Sequence, residues 1–426
     1  MTPGRFIALG FLSIIALGTI LLMLPVSHND GYSVGFTDAL FTSTSAVCVT
    51  GLVAFDTGTV FSVFGRTVIG VLIQIGGLGI TTFGLGLLLF VRKKAGIKEM
   101  VLAKESFNHS TLKGVMGLIK TVLLATLAFE LAGALLLLPV FSAKYGLAEG
   151  IGYSVFHSVA SFNNAGFDVF GTGDSLYAFI DNAYVNTVTA LLIIFGGLGF
   201  FVMSDIAEKK APRRYSLHTK IVLTMTLLLI FGGAVILKLT EGDGISWLGA
   251  FFTSVSTRTA GFATKPMAEF SNAGLIIINI LMIIGASPGS TGGGIKTTTA
   301  FVLVRHLFAY STNSETEAFK RRIPDDAVKK ALAILVLAVS AVLLCSVLIC
   351  AAEPELDMRD VIFEVCSGFG TAGLSTGITG GLCSASKLIL TCVMFVGRLG
   401  PLTIATLWIN NTDREISRAE ESVQIG

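Results

Sequence analysis

The chain has 426 residues, of which 53% are hydrophobic and only 14% are charged, whereas charged residues make up about 25% of a typical soluble protein. This composition excludes an ordinary soluble domain and predicts an integral membrane protein. The 30 Lys and Arg residues nearly balance the 28 Asp and Glu residues, so the net charge gives no reason to expect a nucleic-acid partner. The six cysteines form no C-x-x-C pair, and we therefore predict neither a disulfide framework nor a metal site.

Eight apolar stretches are long enough to cross a hydrocarbon core about 30 Å thick, which takes about 20 helical residues. They cover residues 6–24, 68–91, 121–141, 183–203, 221–237, 274–308, 331–352 and 388–410. Only the sixth stretch is strongly interrupted. The first exceeds a typical signal-peptide core and has no A-x-A cleavage site after it, so we interpret it as a membrane helix.

The basic residues are distributed unevenly between the connections. Alternate loops and the two ends of the chain carry 20 of the 30 Lys and Arg residues. Because basic loops stay on the cytoplasmic side, we predict a multi-pass protein of the cell membrane with both termini in the cytoplasm.

Each outward connection contains one copy of a repeated pattern, in which a Phe stands ten residues before a Gly. The copies read FTSTSAVCVTGL from Phe41, FHSVASFNNAGF from Phe156, FFTSVSTRTAGF from Phe251 and FEVCSGFGTAGL from Phe363. A second glycine cluster follows each copy, at Gly76, Gly196, Gly285 and Gly397. Repetition of this kind predicts a structure built from similar units.

The predicted fold is all-α, with four helix, pore-loop, helix units around a pseudo-fourfold axis. It has eight transmembrane helices and four re-entrant pore helices. The units cover residues 1–92, 115–206, 217–310 and 328–411, and residues 412–426 form a cytoplasmic tail.

Re-entrant segments of this kind favour a cation pathway. Non-helical backbone at membrane depth is tolerated only where it is buried in protein or lines a water-filled cavity. A short helix that enters from outside directs its partly negative C-terminal end towards the membrane centre. The extended residues after it can present carbonyl oxygens that replace the hydration shell of an ion.

These motifs resemble the Trk/Ktr/HKT superfamily of potassium transporters over essentially the whole chain. Because no extra helices precede the first unit, the chain is most similar to the membrane subunits of Ktr systems. The resemblance implies a potassium filter in four segments: Val49, Thr50, Gly51; Asn164, Ala165, Gly166; Thr259, Ala260, Gly261; and Thr371, Ala372, Gly373. In plant relatives a Ser at the first filter glycine accompanies sodium transport. Gly51 therefore favours potassium, with sodium as a possible second ion.

The third unit contains the sequence GASPGSTGGGIK at residues 285–296, which must break a helix within the membrane. It nearly matches a phosphate-binding loop, but Ile295 stands where that motif needs Lys and no strand precedes it. The resemblance implies an intramembrane gating loop instead; a static break that makes room for neighbouring helices is the alternative. The predicted gate residues here are Ser287, Pro288, Gly289, Ser290, Thr291, Gly292, Gly293, Gly294 and Lys296.

Three charged residues lie at informative positions. Arg398 is near the middle of the eighth stretch, where an Arg costs at least about 2.5 to 3.5 kcal/mol unless it faces water or a partner. The resemblance places it beside the gating loop, and the alternative is a structural Arg packed against helix carbonyls. Asp168, two residues after Gly166, is predicted to line an outer vestibule and attract cations. Glu130 interrupts the third stretch without an evident role.

The function that these features predict is potassium uptake, with no catalytic residues and no enzyme activity. The resemblance implies a homodimer, in contact with membrane lipid, that binds a cytosolic ring of KtrA-type subunits with RCK domains. Any nucleotide would bind only to that partner, since the longest cytoplasmic segments of this chain are too short to form a nucleotide pocket. The alternative is a secondary transporter of an organic solute, which needs broken helices in two matched halves.

Overall fold

The computed structural model describes residues 3–79, 82–83, 115–171, 173, 175–209 and 211–406. These residues are mainly helical, which agrees with the predicted helical class. The first basic loop and the predicted tail, residues 92–113 and 412–426, lie outside the described residues.

The first two predicted units contain eight of the described helices. These are α1 (Pro3–Met23), α2 (Phe36–Cys48), α3 (Thr57–Val60), α4 (Val63–Leu78), α5 (Val115–Tyr145), α6 (Leu147–Phe162), α7 (Ala183–Leu198) and α8 (Phe200–Lys209). Side-chain caps begin several of them; for example, Asn182 accepts a hydrogen bond from the Val185 amide at the start of α7.

The last two predicted units contain eight further described helices. Their helices are α9 (Leu217–Glu241), α10 (Trp247–Ser256), α11 (Asn272–Ile283), α12 (Thr297–Ser311), α13 (Asp325–Ala352), α14 (Met358–Gly370), α15 (Ser384–Leu399) and α16 (Pro401–Thr406). A small antiparallel hairpin joins the two units, with β1 (Glu317–Ala318) paired to β2 (Arg321–Arg322). One-turn 3-10 helices lie at Pro25–Ser27, Tyr177–Phe179, Pro212–Arg214, Gly242–Gly244, Met267–Glu269 and Thr379–Gly381.

The first helix of each unit is long and apolar enough to cross a membrane. The four spans that meet this criterion among the described residues are Gly4–Met23, Ile119–Tyr145, Leu217–Gly244 and Asp325–Ala352. Large apolar side chains stand on their outer faces, including Leu135, Leu239 and Leu343, which are 68%, 76% and 60% exposed. An apolar outer surface of this extent is typical of helices that face lipid.

In each unit a second apolar helix follows the short helix. The sequence predicted that only one of these second helices is strongly broken, and the structure differs from this prediction. The stretch 183–203, predicted to be continuous, is divided at Gly199 into α7 and α8, whose axes differ by 91°. Gly199, Gly79 and Gly400 all have φ between 78° and 91°, a left-handed conformation that glycine adopts without steric cost. The prediction that only the third unit has a strongly broken helix was therefore wrong. The predicted break in that unit is confirmed, since residues 284–296 separate α11 from α12.

The short helices α2, α6, α10 and α14 form the centre of the fold. Each packs against the long helix before it, and each also contacts a helix of another unit: α6 contacts α4, α10 contacts α7, α14 contacts α11, and α2 contacts α15. These contacts close a ring. The apolar residue after each filter glycine, Leu52, Phe167, Phe262 or Leu374, is at most 2% exposed, which explains why Leu or Phe always follows that glycine.

The glycine clusters at Gly76, Gly196 and Gly397 allow the helices that contain them to pack closely against the short helices. A Cβ at Gly76 would collide with the Val47 carbonyl, one at Gly196 with the Phe162 carbonyl, and one at Gly397 with the Phe369 carbonyl. These carbonyls belong to the C-terminal ends of α2, α6 and α14. These three clusters therefore fix the depth at which α2, α6 and α14 end, whereas Gly285 of the third unit faces the Gly293 carbonyl of the loop.

We expect Gly397→Ala to lower the free energy of unfolding by about 1 to 3 kcal/mol, because the added Cβ overpacks a backbone contact. The matched control is Gly232→Ala on α9, where a Cβ meets no atom within 4 Å and should be neutral or stabilising by about 0.5 to 1 kcal/mol. Fluorescence-detected size-exclusion chromatography of heated, detergent-solubilised protein measures both. Equal midpoints for the two variants would contradict the packing role of this glycine.

Candidate functional site

The four predicted filter segments begin where the short helices end. Their first residues, Val49, Asn164, Thr259 and Thr371, have φ of 57°, 57°, 75° and 49°. A left-handed conformation is uncommon for residues other than glycine and is strained for a β-branched side chain such as Val. Sequence reasoning placed the tight turn at the glycine alone and missed this feature. Asn164 is of a type that adopts positive φ comparatively often, but the β-branched Val49, Thr259 and Thr371 give no such signal.

Backbone hydrogen bonds hold the residue that follows each strained residue. The amides of Thr50, Ala165 and Ala372 donate to the carbonyls of Ser45, Ala160 and Ser367, each at 2.8 Å, and the Ala260 amide donates to Ser256 at 2.9 Å. Each segment is therefore tied back to its own short helix through its amide group.

The filter glycines form a closed ring of backbone contacts. A Cβ added at Gly51 would lie 2.5 Å from the Ala165 carbonyl oxygen, one at Gly166 would lie 2.8 Å from that of Ala260, and one at Gly261 would lie 2.7 Å from that of Ala372. A Cβ at Gly373 would collide with the Thr50 carbonyl oxygen. The structure thus brings all four predicted segments together, and only glycine fits at the four contacts.

The four carbonyl oxygens of this ring are buried and have no donor among the described residues. Thr50, Ala165, Ala260 and Ala372 are all fully buried, and none of their carbonyls accepts a hydrogen bond from another described residue. A buried carbonyl without a donor is unfavourable. Four of them around one point can coordinate a dehydrated cation.

A cavity of about 230 Å³ lies beside the glycines at which the four segments end. Its lining includes the four filter glycines together with Asp56, Asp168 and Tyr177. Asp168, the predicted vestibule residue, lines this cavity, and so does Asp56, which the sequence did not single out because it is five residues beyond Gly51. Asp56 caps the short helix α3 through the Gly58 amide at 3.1 Å, and this turn brings it back to the cavity.

The loop of residues 285–296 lies at the upstream end of the segments. The Gly293 amide donates to Thr371 Oγ1 at 2.8 Å, and a Cβ at Gly292 would collide with Thr259 Oγ1. Thr291 Oγ1 also donates to the Phe162 carbonyl at the end of α6, at 3.4 Å. The loop therefore contacts three of the four ring-forming regions on the side opposite the cavity.

The loop also satisfies the ends of the broken helices. The Ser287 and Thr291 amides donate to the Gly197 and Gly196 carbonyls at 3.1 and 3.3 Å, and the Gly294 amide donates to Gly397 at 3.2 Å. Carbonyls in the last turn of a helix have no intrahelical partner, so these contacts supply the missing donors. Lys296 Nζ donates to the Gly292 carbonyl at 2.6 Å and stabilises the loop itself.

Arg398 connects this loop to the first unit. Its guanidinium donates to the Thr291 carbonyl in the loop, to the Gly76 carbonyl and, at 3.4 Å, to the Gly77 carbonyl at the end of α4. Arg398 therefore contacts the loop, as expected for a residue beside the gate, and also caps a helix, as expected for a structural Arg.

One ion pair, which sequence reasoning missed, joins the first and fourth units. Lys387 Nζ on α15 lies 2.8 Å from Asp38 Oδ1 on α2, and the Lys387 side chain is 9% exposed. A basic residue at the start of an apolar stretch was the only signal for this contact. The pair fixes the junction at which the ring of units closes.

Comparisons with known proteins agree with this architecture. A family model described as TrkH, cation transport protein, matches residues 7–417. The chain is 39% identical to the Ktr system potassium uptake protein B of Bacillus subtilis, with 94% of this chain and 92% of that protein covered. It is 37% identical to the potassium/sodium uptake protein NtpJ of Enterococcus hirae, with 100% and 98% covered.

The crystal structure of the potassium transporter TrkH from Vibrio parahaemolyticus has a similar fold. The TM-score is 0.69 at 20% identity, and the match covers 94% of this chain and 84% of that one. Together with the family match, this likeness confirms the resemblance that the repeated motifs predicted. The chain belongs to the TrkH family of cation transport proteins.

Proposed function

We propose that the chain takes up potassium ions through a central pathway in the cell membrane. The observation that carries this proposal is the ring of four buried carbonyl oxygens, which accept no hydrogen bond from the part of the chain that the structure describes. In the proposed arrangement the four units surround a pseudo-fourfold axis, the short helices are re-entrant pore helices, and both termini are cytoplasmic. The cavity with Asp56 and Asp168 is the outer vestibule, where fixed negative charge raises the local cation concentration.

The relatives support potassium as the main ion and sodium as a second one. One relative is a potassium uptake protein and another is a potassium/sodium uptake protein. Rubidium uptake into potassium-depleted cells or proteoliposomes, with competition by K⁺ and Na⁺, tests the ion directly. Transport of an organic solute is less compatible with the geometry, because a ring closed by glycine contacts leaves no space for a bulky substrate.

We further propose that residues 285–296 and Arg398 form the gate. The loop occupies the inner side of the ring next to Thr259 and Thr371, where it obstructs the path of an ion. Arg398 holds the loop through the Thr291 carbonyl and places positive charge beside the path. Opening then requires movement of the loop away from the ends of α7 and α15.

A gate of this kind needs a ligand or partner that distinguishes its two states. We propose that the chain forms a homodimer and that a cytosolic ring of KtrA-type subunits with RCK domains supplies this control. The name of the Bacillus subtilis relative, protein B of a Ktr system, supports a multi-component assembly. Nucleotide would act on the ring and not on this chain.

Gly51→Ser should lower the preference for K⁺ over Na⁺ by about tenfold, as expected when one of several carbonyl contacts is displaced by a Cβ and a strained backbone. The control is Gly31→Ser, since Gly31 has a similar φ of 87° but no atom within 4 Å of an added Cβ. Competition of K⁺ and Na⁺ with rubidium uptake gives the preference. An unchanged preference in Gly51→Ser would refute the filter assignment.

Deletion of residues 288–292 should raise the rate of uptake per molecule at the membrane, because it removes the obstruction. Arg398→Ala should shift the rate in the same direction, because it frees the Thr291 carbonyl and removes a positive charge. Arg359→Ala is the charge-matched control, since Arg359 is exposed and bonds Asp360 and Asn272 instead. Slower uptake in correctly inserted deletion variants would mean that the loop is structural.

Flux through the purified chain should respond to ATP or ADP only when a KtrA-type ring is present. The physical reason is that the described cytoplasmic residues form only short connections, which cannot enclose a nucleotide. Proteoliposome flux with and without the ring, each with either nucleotide, measures the effect. Equal flux in all four conditions would rule out ring control.

A further inference from the structure

Glu130 is an acidic side chain halfway along α5 that contacts the approach to the second filter segment. Its Oε1 atom accepts a hydrogen bond from Asn163 Nδ2 at 2.9 Å. Gln74 Oε1 on α4 accepts from the same nitrogen at 3.0 Å, and so does the Val159 carbonyl at 2.9 Å. Three acceptors from three helices thus share the two N–H groups of one buried amide nitrogen; we call Gln74, Glu130 and Asn163 the amide bracket.

Through Asn163, the amide bracket is directly adjacent to the second predicted filter segment. Asn163 follows the last residue of α6 and precedes Asn164, whose φ of 57° begins the strained segment. The Glu130 main-chain carbonyl also accepts from Ser158 Oγ at 2.7 Å. Helix α5 therefore holds the C-terminal end of α6 at two points, and one of them is adjacent to the segment that supplies the Ala165 carbonyl to the ring.

The amide bracket is specific to the second unit. The residues equivalent to Asn163 in the other units are Cys48, Arg258 and Gly370, which cannot present a carboxamide. Asn163 also packs against Gly77, where an added Cβ would collide with Asn163 Oδ1. Because the Gly77 carbonyl accepts from Arg398 at 3.4 Å, the bracket joins the filter to the helix end that Arg398 caps.

Placing a carboxyl group at this depth requires compensation. A polar side chain away from water is unfavourable unless it is hydrogen-bonded. Glu130 and Gln74 border a mainly apolar groove of about 930 Å³ between α4 and α6, lined by side chains such as Val71, Val155 and Val159. The Asn163 amide is the polar contact that Glu130 and Gln74 share next to this groove.

We propose that Glu130, together with Gln74, is a positioning residue for ion selection. By fixing the Asn163 amide, it sets the orientation of residues 164–166 and so the place of the Ala165 carbonyl in the ring. This inference rests on the proposed function, because it assumes that the ring selects among cations. It assigns a role to the acid of the third apolar stretch, which the proposed filter and gate do not use.

The test compares Glu130→Leu, Glu130→Gln and Gln74→Leu with wild type. Glu130→Leu keeps a side chain of similar size but removes the hydrogen-bond acceptor. We expect it to lower the preference for K⁺ over Na⁺ by about three- to tenfold, the range expected from loss of one buried hydrogen bond. Glu130→Gln keeps an acceptor oxygen and should stay within about twofold of wild type on the same grounds. Gln74→Leu should resemble Glu130→Leu, and the double variant should be less than additive.

The control is Leu131→Ala, the next residue on α5, which is 55% exposed and should leave the preference unchanged. The readout is the ratio of the K⁺ and Na⁺ concentrations that half-inhibit rubidium uptake, which does not depend on the amount of inserted protein. A lower maximal rate with an unchanged ratio in Glu130→Leu would mean that Glu130 is only structural, and failure of Glu130→Gln to retain the ratio would also overturn the proposal.

Two further outcomes keep the test decisive. If Glu130→Leu does not reach the membrane, the Gln74→Leu ratio decides, and a wild-type ratio there overturns the proposal. If wild type itself takes up no rubidium, the proposed function fails first, and the positioning role fails with it. A wild type that selects potassium, with an unaltered ratio in both leucine variants, refutes only the positioning role.

Discussion

The structure depends on how backbone carbonyl groups are satisfied away from water. Helices α4, α7 and α15 all end at a glycine with positive φ, and each end leaves carbonyls without intrahelical donors. The loop amides and the Arg398 guanidinium supply donors to these ends. The carbonyls of Thr50, Ala165, Ala260 and Ala372 are left without donors among the described residues, so their oxygens are available to coordinate a cation.

Glycine serves this constraint in two different ways. At Gly76, Gly196 and Gly397 the missing side chain lets a helix pack directly on the end of a short helix. At Gly51, Gly166, Gly261 and Gly373 it allows both a left-handed backbone and contact with the next segment. The first set fixes the position of the short helices, and the second set uses that position to close the ring.

Sequence reasoning predicted the local features better than the long-range ones. The convergence of the four predicted filter segments and the break at residues 284–296 could be predicted because these stretches repeat at fixed spacing or contain several glycines and a proline. The bend at Gly199 was missed because apolar residues such as Phe200 and Val202 follow it and the hydropathy stays high. The partners of Glu130 and Lys387 were missed because Asn163, at the end of α6, and Asp38, on α2, are distant in the sequence, and no spacing along one chain indicates such pairs.

The single chain also permits an asymmetry that identical subunits could not have. The loop of residues 285–296 contacts the ends of α6 and α14 and the Thr259 side chain, so one copy already reaches three quarters of the ring. Four identical subunits would bring four such loops to the same place, where they would collide. Within one polypeptide each predicted unit can vary separately, so that the third unit carries the loop, the fourth carries the arginine that contacts it, and the second carries the amide that precedes its predicted filter segment.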